Sequence, residues 1–202
     1  MNVECPRLWT RDWIEGVPGK TFREHVQKYT EQIEATLEAA TANGVLIAEP
    51  DPINFVAAFF AAVHSGVPVI LANPKWQQSE WERLGKQVSA AIVLGASAIF
   101  KPAVSETKGP GPGTILIPTG GSSGELKLAI HTWDTLTAAC EGFRSFAGPG
   151  PINSCCVLPL YHVSGLMQVM RSFTSGGRIV FTDYKVLQQG AFPEARRITQ
   201  RP

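Results

Sequence analysis

Between residues 21 and 44 the apolar side chains fall at Phe22, Val26, Tyr29, Ile33, Leu37 and Ala40, in steps of three and four. That spacing places them on one face of an amphipathic helix, with Gly44 as its stop. VLIA (45–48) follows without a polar member, the pattern of a strand buried on both faces. Asp51 precedes Pro52, an N-cap ahead of a first-turn proline, so a helix runs from there to about Ser65. It is apolar on nearly every side, which implies burial. VPVILA (67–72) reads as the next strand. Ser79 with Glu82 fits a capping box for a third helix ending near Val88, and AAIVLG (90–95) is a third strand.

After a Pro/Gly-rich stretch, KPAVSETKGPGPG (101–113), come the strand TILIP (114–118), a glycine- and serine-rich loop, and the strand LAIH (128–131). A helix over about 134–146, a strand CCVLPL (155–160), a helix over about 164–174 and a strand RIVF (178–181) complete the pattern. Residues 185–202 show neither a strand pattern nor a closed helix. Strands alternating with helices predict an α/β fold, a layered and mostly parallel sheet flanked by helices. The expected organisation is a first α/β portion over 1–100, the Pro/Gly loop over 101–113, and a second α/β portion over 114–202.

Composition narrows the function classes. Hydrophobic residues make up 44% and charged residues 17%, which is globular. The net charge of +1 leaves no electrostatic footprint for nucleic acid or for an anionic membrane. The apolar run INFVAAFFAAV is too short for a membrane span, and the N-terminus lacks the apolar core of a secretory signal. Cys5, Cys140, Cys155 and Cys156 form no CxxC pair. They read as small core residues in a reducing compartment, with a cytoplasmic location, rather than as a disulfide or metal framework.

IPTGGSSGELKLAIHT (117–132) carries the clearest chemistry. A strand that ends in Gly and Ser can turn several backbone N–H groups into one concavity, because glycine tolerates the tight curvature. Thr119, Ser122 and Ser123 add hydroxyls and Lys127 a mobile positive charge, a set suited to a polyphosphate. An ordinary surface turn of small residues has the same composition. The loop is not of the Walker type, since Leu126 and Leu128 flank Lys127, and no GxGxxG opens a helix here. In LPLYHVSGL (158–166), His162 stands where a strand runs out and a helix begins, the end of an α/β sheet at which ligands bind. A structural histidine would fit that position too.

Together the two regions resemble the adenylate-forming acyl-CoA ligase superfamily, whose signature reads roughly TSGTTGxPKGV. Thr119, Gly121, Gly124 and Lys127 match in place, and Ser122 and Ser123 stand for its two threonines. The second element, PL[FY]HxxGL, is present as PLYHVSGL without a mismatch. GVPVILANPKWQQSEWERL (66–84) is similar to the segment that precedes them, so the resemblance spans most of 21–181. Within the superfamily the wording is closest to the o-succinylbenzoate–CoA ligases of menaquinone and phylloquinone synthesis. Gly120, Leu126, Leu128 and Trp133 depart from the usual Ser, Pro, Gly and His.

The resemblance implies the large-domain fold of such ligases and an ATP-dependent reaction. A carboxylate attacks the α-phosphate of ATP, pyrophosphate leaves, and the thiol of CoA displaces AMP from the acyl-adenylate. ATP, Mg²⁺ and CoA are the implied cofactors, and an aromatic or acyl carboxylate is the implied partner. Thr119, Gly120, Gly121, Ser122, Ser123, Gly124 and Lys127 would hold the β- and γ-phosphates, Lys127 neutralising charge in catalysis. His162 would line the acyl pocket beside the reacting carboxylate, with Ser164 and Gly165 shaping the adjoining turn. No protein metal ligand is expected. The family's later motifs and C-terminal domain are not found in 1–202, so the chain is expected to be an N-terminal portion, inactive alone. Apolar surface where the remainder would dock predicts self-association, for instance as a homodimer. Another small aryl- or acyl-CoA ligase, or a non-catalytic phosphate- or partner-binding module, are the alternatives.

Overall fold

The computed structural model describes residues 11–39, 44–88, 90, 92–95, 110–119 and 126–189. They divide into two compact units, one within 24–133, the other of 11–23 and 134–189. Among the described residues the chain therefore starts in the second unit, passes through the first, and returns.

In the first unit β1 (Val45–Ala48), β2 (Val69–Leu71), β3 (Ile92–Gly95), β4 (Thr114–Thr119) and β5 (Lys127–Thr132) form one sheet in the order β3-β1-β2-β4-β5. β1 to β4 are parallel and β5 lies antiparallel to β4, pairing Thr119 with Lys127 and Thr114 with Thr132. The parallel α/β sheet expected from the alternating pattern is present, with an antiparallel edge strand. β1 and β2 are buried at every position, as their uniformly apolar sequences require.

α1 (Gly19–Ala39) has its first turn in the second unit and the rest in the first. Tyr29 Oη donates to Glu49 Oε1 at 2.6 Å, joining α1 to the end of β1. α2 (Pro52–His64) starts as the sequence predicts, with Asp51 Oδ1 accepting from the Asn54 N–H at 2.9 Å. Its eight residues Phe55 to Ala62 are buried without a break. α3 (Gln78–Gly85) begins before the position expected. The box is closed by Glu80, whose Oε2 accepts from the Gln77 N–H at 2.8 Å, while Glu82 is taken by the Gln78 amide at 2.8 Å. Trp81, Leu84 and Val88 pack on the sheet face of Leu46, Ala48, Ile70, Ala72 and Leu116.

In the second unit β6 (Ser154–Cys156) and β7 (Ile179–Phe181) are parallel. Residues 13–15 extend this sheet, the Ile179 N–H donating to Trp13 O and the Glu15 N–H to Ile179 O, both at 2.8 Å. Arg178 Nη2 donates to Glu15 Oε2 at 2.7 Å beside this junction. The rings of Phe22 and Phe173 meet fully buried Trp13 edge-on at 5.6 and 5.2 Å. α4 (Trp133–Ala147) and α5 (Val163–Ser175) join through Arg171, whose guanidinium stands 4.1 Å from the Phe143 ring centroid. α6 (Tyr184–Gln188), capped by Asp183, is a short helix the sequence pattern does not show.

Cys140, Cys155 and Cys156 are free thiols, and burial pushes all three up from the usual thiol range. Among the described residues no three His, Cys, Asp or Glu side chains gather as a metal site, and no helix is long and apolar enough to cross a membrane.

Candidate functional site

The site residues expected from the sequence fall in both units. Those of the first unit lie where the parallel strands end. β4 runs parallel to β2, so Thr119 closes β4 on the carboxyl edge of the sheet, where α/β folds place ligands. β5 returns from the same edge, and its first residue, Lys127, is exposed opposite Thr119. Thr119 Oγ1 donates to the Lys127 carbonyl at 3.3 Å, closing the mouth of the hairpin. The two strands expected on either side of the loop are present and paired. Gly120, Gly121, Ser122, Ser123 and Gly124 lie outside the described residues.

Both departures flanking Lys127 have a structural role. Leu126 and Leu128 pack against the cluster of Trp81, Leu84, Leu116 and their neighbours. Side chains alternate along a strand, so Lys127 lies on the opposite face from its two leucine neighbours, beside Thr119. The Gln87 amide Nε2 donates to the Leu126 carbonyl at 2.7 Å. Sequence reading did not single out Gln87. Its distance in sequence leaves no local signal, and only the fold brings it to the loop.

In the second unit β6 ends at Cys156, so the strand expected over 155–160 is shorter and His162 does not directly follow it. Pro159 offers no N–H to a ladder, and the chain turns through 157–161 before α5. His162 is the N-cap residue of α5, with φ −102° and ψ 146°. Its side chain makes no capping hydrogen bond. The ring is exposed, its centroid 4.6 Å from that of Tyr161, whose hydroxyl is pushed up by burial. Leu158 and Val163, 40% and 44% exposed, lie on either side of it in the chain, and the imidazole is open to solvent.

Ser164 is exposed in the first turn of α5. Gly165 is buried where the helix presses on the preceding turn, and a Cβ there would overlap the Pro159 carbonyl. The Gly165 and Leu166 N–H groups donate to His162 O at 3.1 and 3.0 Å, which fixes the first turn on the histidine.

A family model described as AMP-binding enzyme matches residues 106–197. The chain is 27% identical over 161 residues to a 2-succinylbenzoate–CoA ligase of Salmonella typhimurium, covering 73% of this chain and 35% of that protein. The chain thus spans about a third of the length of the curated relatives it matches. Among solved structures, o-succinylbenzoate CoA synthetase of Bacillus subtilis with the acyl-adenylate intermediate aligns at a TM-score of 0.68 with 17% identity. It covers 90% of this chain and 54% of that one. The same enzyme in complex with ATP and magnesium ion aligns at 0.64 with 17% identity, over 88% and 55% of the two chains. These likenesses establish the fold, that of the adenylate-forming ligases.

Proposed function

We propose that this chain, whose residues 106–197 match the AMP-binding enzyme model, is the phosphate-holding N-terminal part of an ATP-dependent acid–CoA ligase acting on o-succinylbenzoate. The observation that carries the reading is the pairing of Thr119 with Lys127 at the carboxyl edge of a parallel sheet. The Gly/Ser-rich residues 120–124 are joined to that mouth in sequence.

Adenylation brings a carboxylate against an already anionic phosphate chain. Charge held in place before the reaction is the larger part of catalysis in such a step. Lys127 supplies that charge from a strand end fixed by its neighbours. The N–H groups of 120–124 would complete the phosphate contacts, joined by the Thr119 hydroxyl once it turns from the Lys127 carbonyl. Mg²⁺, when bound, would be carried mainly by phosphate oxygens. It would neutralise charge on the leaving pyrophosphate. His162, exposed at the α5 N-terminus, would meet the substrate carboxylate, and the helix dipole there favours an anion. The o-succinylbenzoate assignment rests on the Salmonella typhimurium relative and on the wording of LPLYHVSGLMQVM. CoA as the acceptor follows from that assignment.

The test is a calorimetric titration of the purified chain with pyrophosphate and with ATP–Mg²⁺. Phosphate contacts alone should give a Kd on the order of millimolar. Lys127→Ala should weaken it about tenfold, the size of one lost charge-assisted contact. Binding that is absent in the wild type, or unchanged by Lys127→Ala, would overturn the phosphate role.

A further inference from the structure

Lys127 is useful to a phosphate chain only if its strand end is held still. The structure shows three restraints converging on it. Leu126 and Leu128 are seated in the cluster beneath α3, one on each side of the lysine. Thr119 Oγ1 donates to the Lys127 carbonyl. Gln87, just past the end of α3, donates from Nε2 to the Leu126 carbonyl at 2.7 Å. The first two restraints lie on β5 and on the strand it pairs with. The third comes from a separate element, thirty-nine residues away in sequence.

We propose that Gln87 is a positioning residue for Lys127, coupling the C-terminal end of α3 to the phosphate-binding strand end through the Leu126 carbonyl. The proposal rests on the polyphosphate role given to Lys127 above. Its physical basis is directional. Leucine side chains resist displacement away from the core but leave the strand end free to rock about them. A hydrogen bond to the carbonyl before Lys127 removes that rotation. Gln87 is itself held at its backbone, its N–H donating to Leu84 O at 2.9 Å. The Val88 N–H donates to the same carbonyl at 3.0 Å, and Val88 is buried in the same cluster. The glutamine thus reaches the loop from an anchored base. The contact is exposed, so its worth lies in orientation rather than in stability.

The test uses this chain with Gln87→Met, which keeps length and loses the donor, and Gln87→Lys, which restores a donor. Both are read with pyrophosphate as the probe. Hydrogen exchange at the Lys127 and Leu128 amides should quicken several-fold in Gln87→Met, with the midpoint of thermal unfolding essentially unchanged. Pyrophosphate affinity should fall about three- to tenfold, the span of one net hydrogen bond, and the pyrophosphate-induced shift of the Lys127 ε-CH₂ resonance should shrink. Gln87→Lys should restore the exchange protection of the two amides.

Unchanged exchange in Gln87→Met would overturn the tether. Quickened exchange with unchanged affinity and an unchanged lysine signal would overturn positioning and leave a structural contact. A wild-type chain that binds no pyrophosphate, but whose exchange responds as expected, would overturn the phosphate role of Lys127 and positioning with it, while the tether stood.

Discussion

At Gly165 the requirement is for the absence of a side chain. The first turn of α5 lies so close to the 158–159 backbone that a methyl group would overlap the Pro159 carbonyl. Neither partner is a side-chain end that could swing aside, so Gly165→Ala should destabilise the second unit by about 3 kcal/mol. Faster hydrogen exchange in α5 would report it, and unaltered exchange would count against the close approach. Tyr29 gives a pH-dependent case. Burial, then the hydrogen bond to Glu49 and the charges of Glu49 and Asp51, push its phenol well above the usual value. A raised pKa in the folded state stabilises fully below the unfolded value, about pH 10, and that stabilisation is lost as pH rises towards the folded value. Tyr29→Phe should therefore lose about 1 kcal/mol near pH 8, and its deficit against the wild type should narrow above pH 10. Denaturant unfolding at stepped pH measures both.

Elements with a strong local signal were legible. The three-and-four spacing of α1 and the Asp51–Pro52 start of α2 are physical instructions within a few residues, and the structure follows them. α3 began earlier than expected because two acidic residues competed for the cap and Glu80, not Glu82, closed it. β6 stopped at Cys156 because an apolar run says that residues are buried, not that they are paired. The segment 13–15 was missed altogether. Its partner is β7, at the far end of the chain, and such pairing leaves no period in the sequence. Of the candidate site, Thr119, Lys127 and His162 were visible as types at motif spacing, whereas Gln87 became visible only through tertiary contact. The missed segment has a measurable consequence. Trp13 is fully buried and touches Phe22 and Phe173. Trp13→Ala should cost about 3–5 kcal/mol. The loss should concentrate in the second unit, so amides of β7 and α5 should exchange faster while those of β1 and β2 keep their protection. Uniform loss in both units would show that the segment is not specific to the second.

Over the whole molecule, the question is how much of a catalyst 202 residues contain. The Salmonella typhimurium ligase aligns over 35% of its length, and the two Bacillus subtilis synthetase structures described above over little more than half. What the chain brings is a parallel sheet that delivers Thr119 and Lys127 to one edge, and a second unit that presents His162 at a helix start. Holding phosphate is a matter of a few such contacts. Turnover demands more, because the nucleotide, the carboxylate and the charge that develops between them must all be fixed at once. A single preorganised contact to developing charge is worth roughly two to three orders of magnitude in rate. A chain matching a third of the enzyme is therefore expected to bind pyrophosphate and ATP weakly and to form no thioester. The purified chain is mixed with ATP, Mg²⁺, o-succinylbenzoate and CoA, and pyrophosphate and thioester are followed together. The expected result is a rate equal to that of a blank without protein. Turnover above the blank that Lys127→Ala abolishes would show that these two units already hold the transition state, and the division of labour argued here would be wrong. Turnover that survives Lys127→Ala would point to a contaminating ligase, which a repeat after further purification should remove.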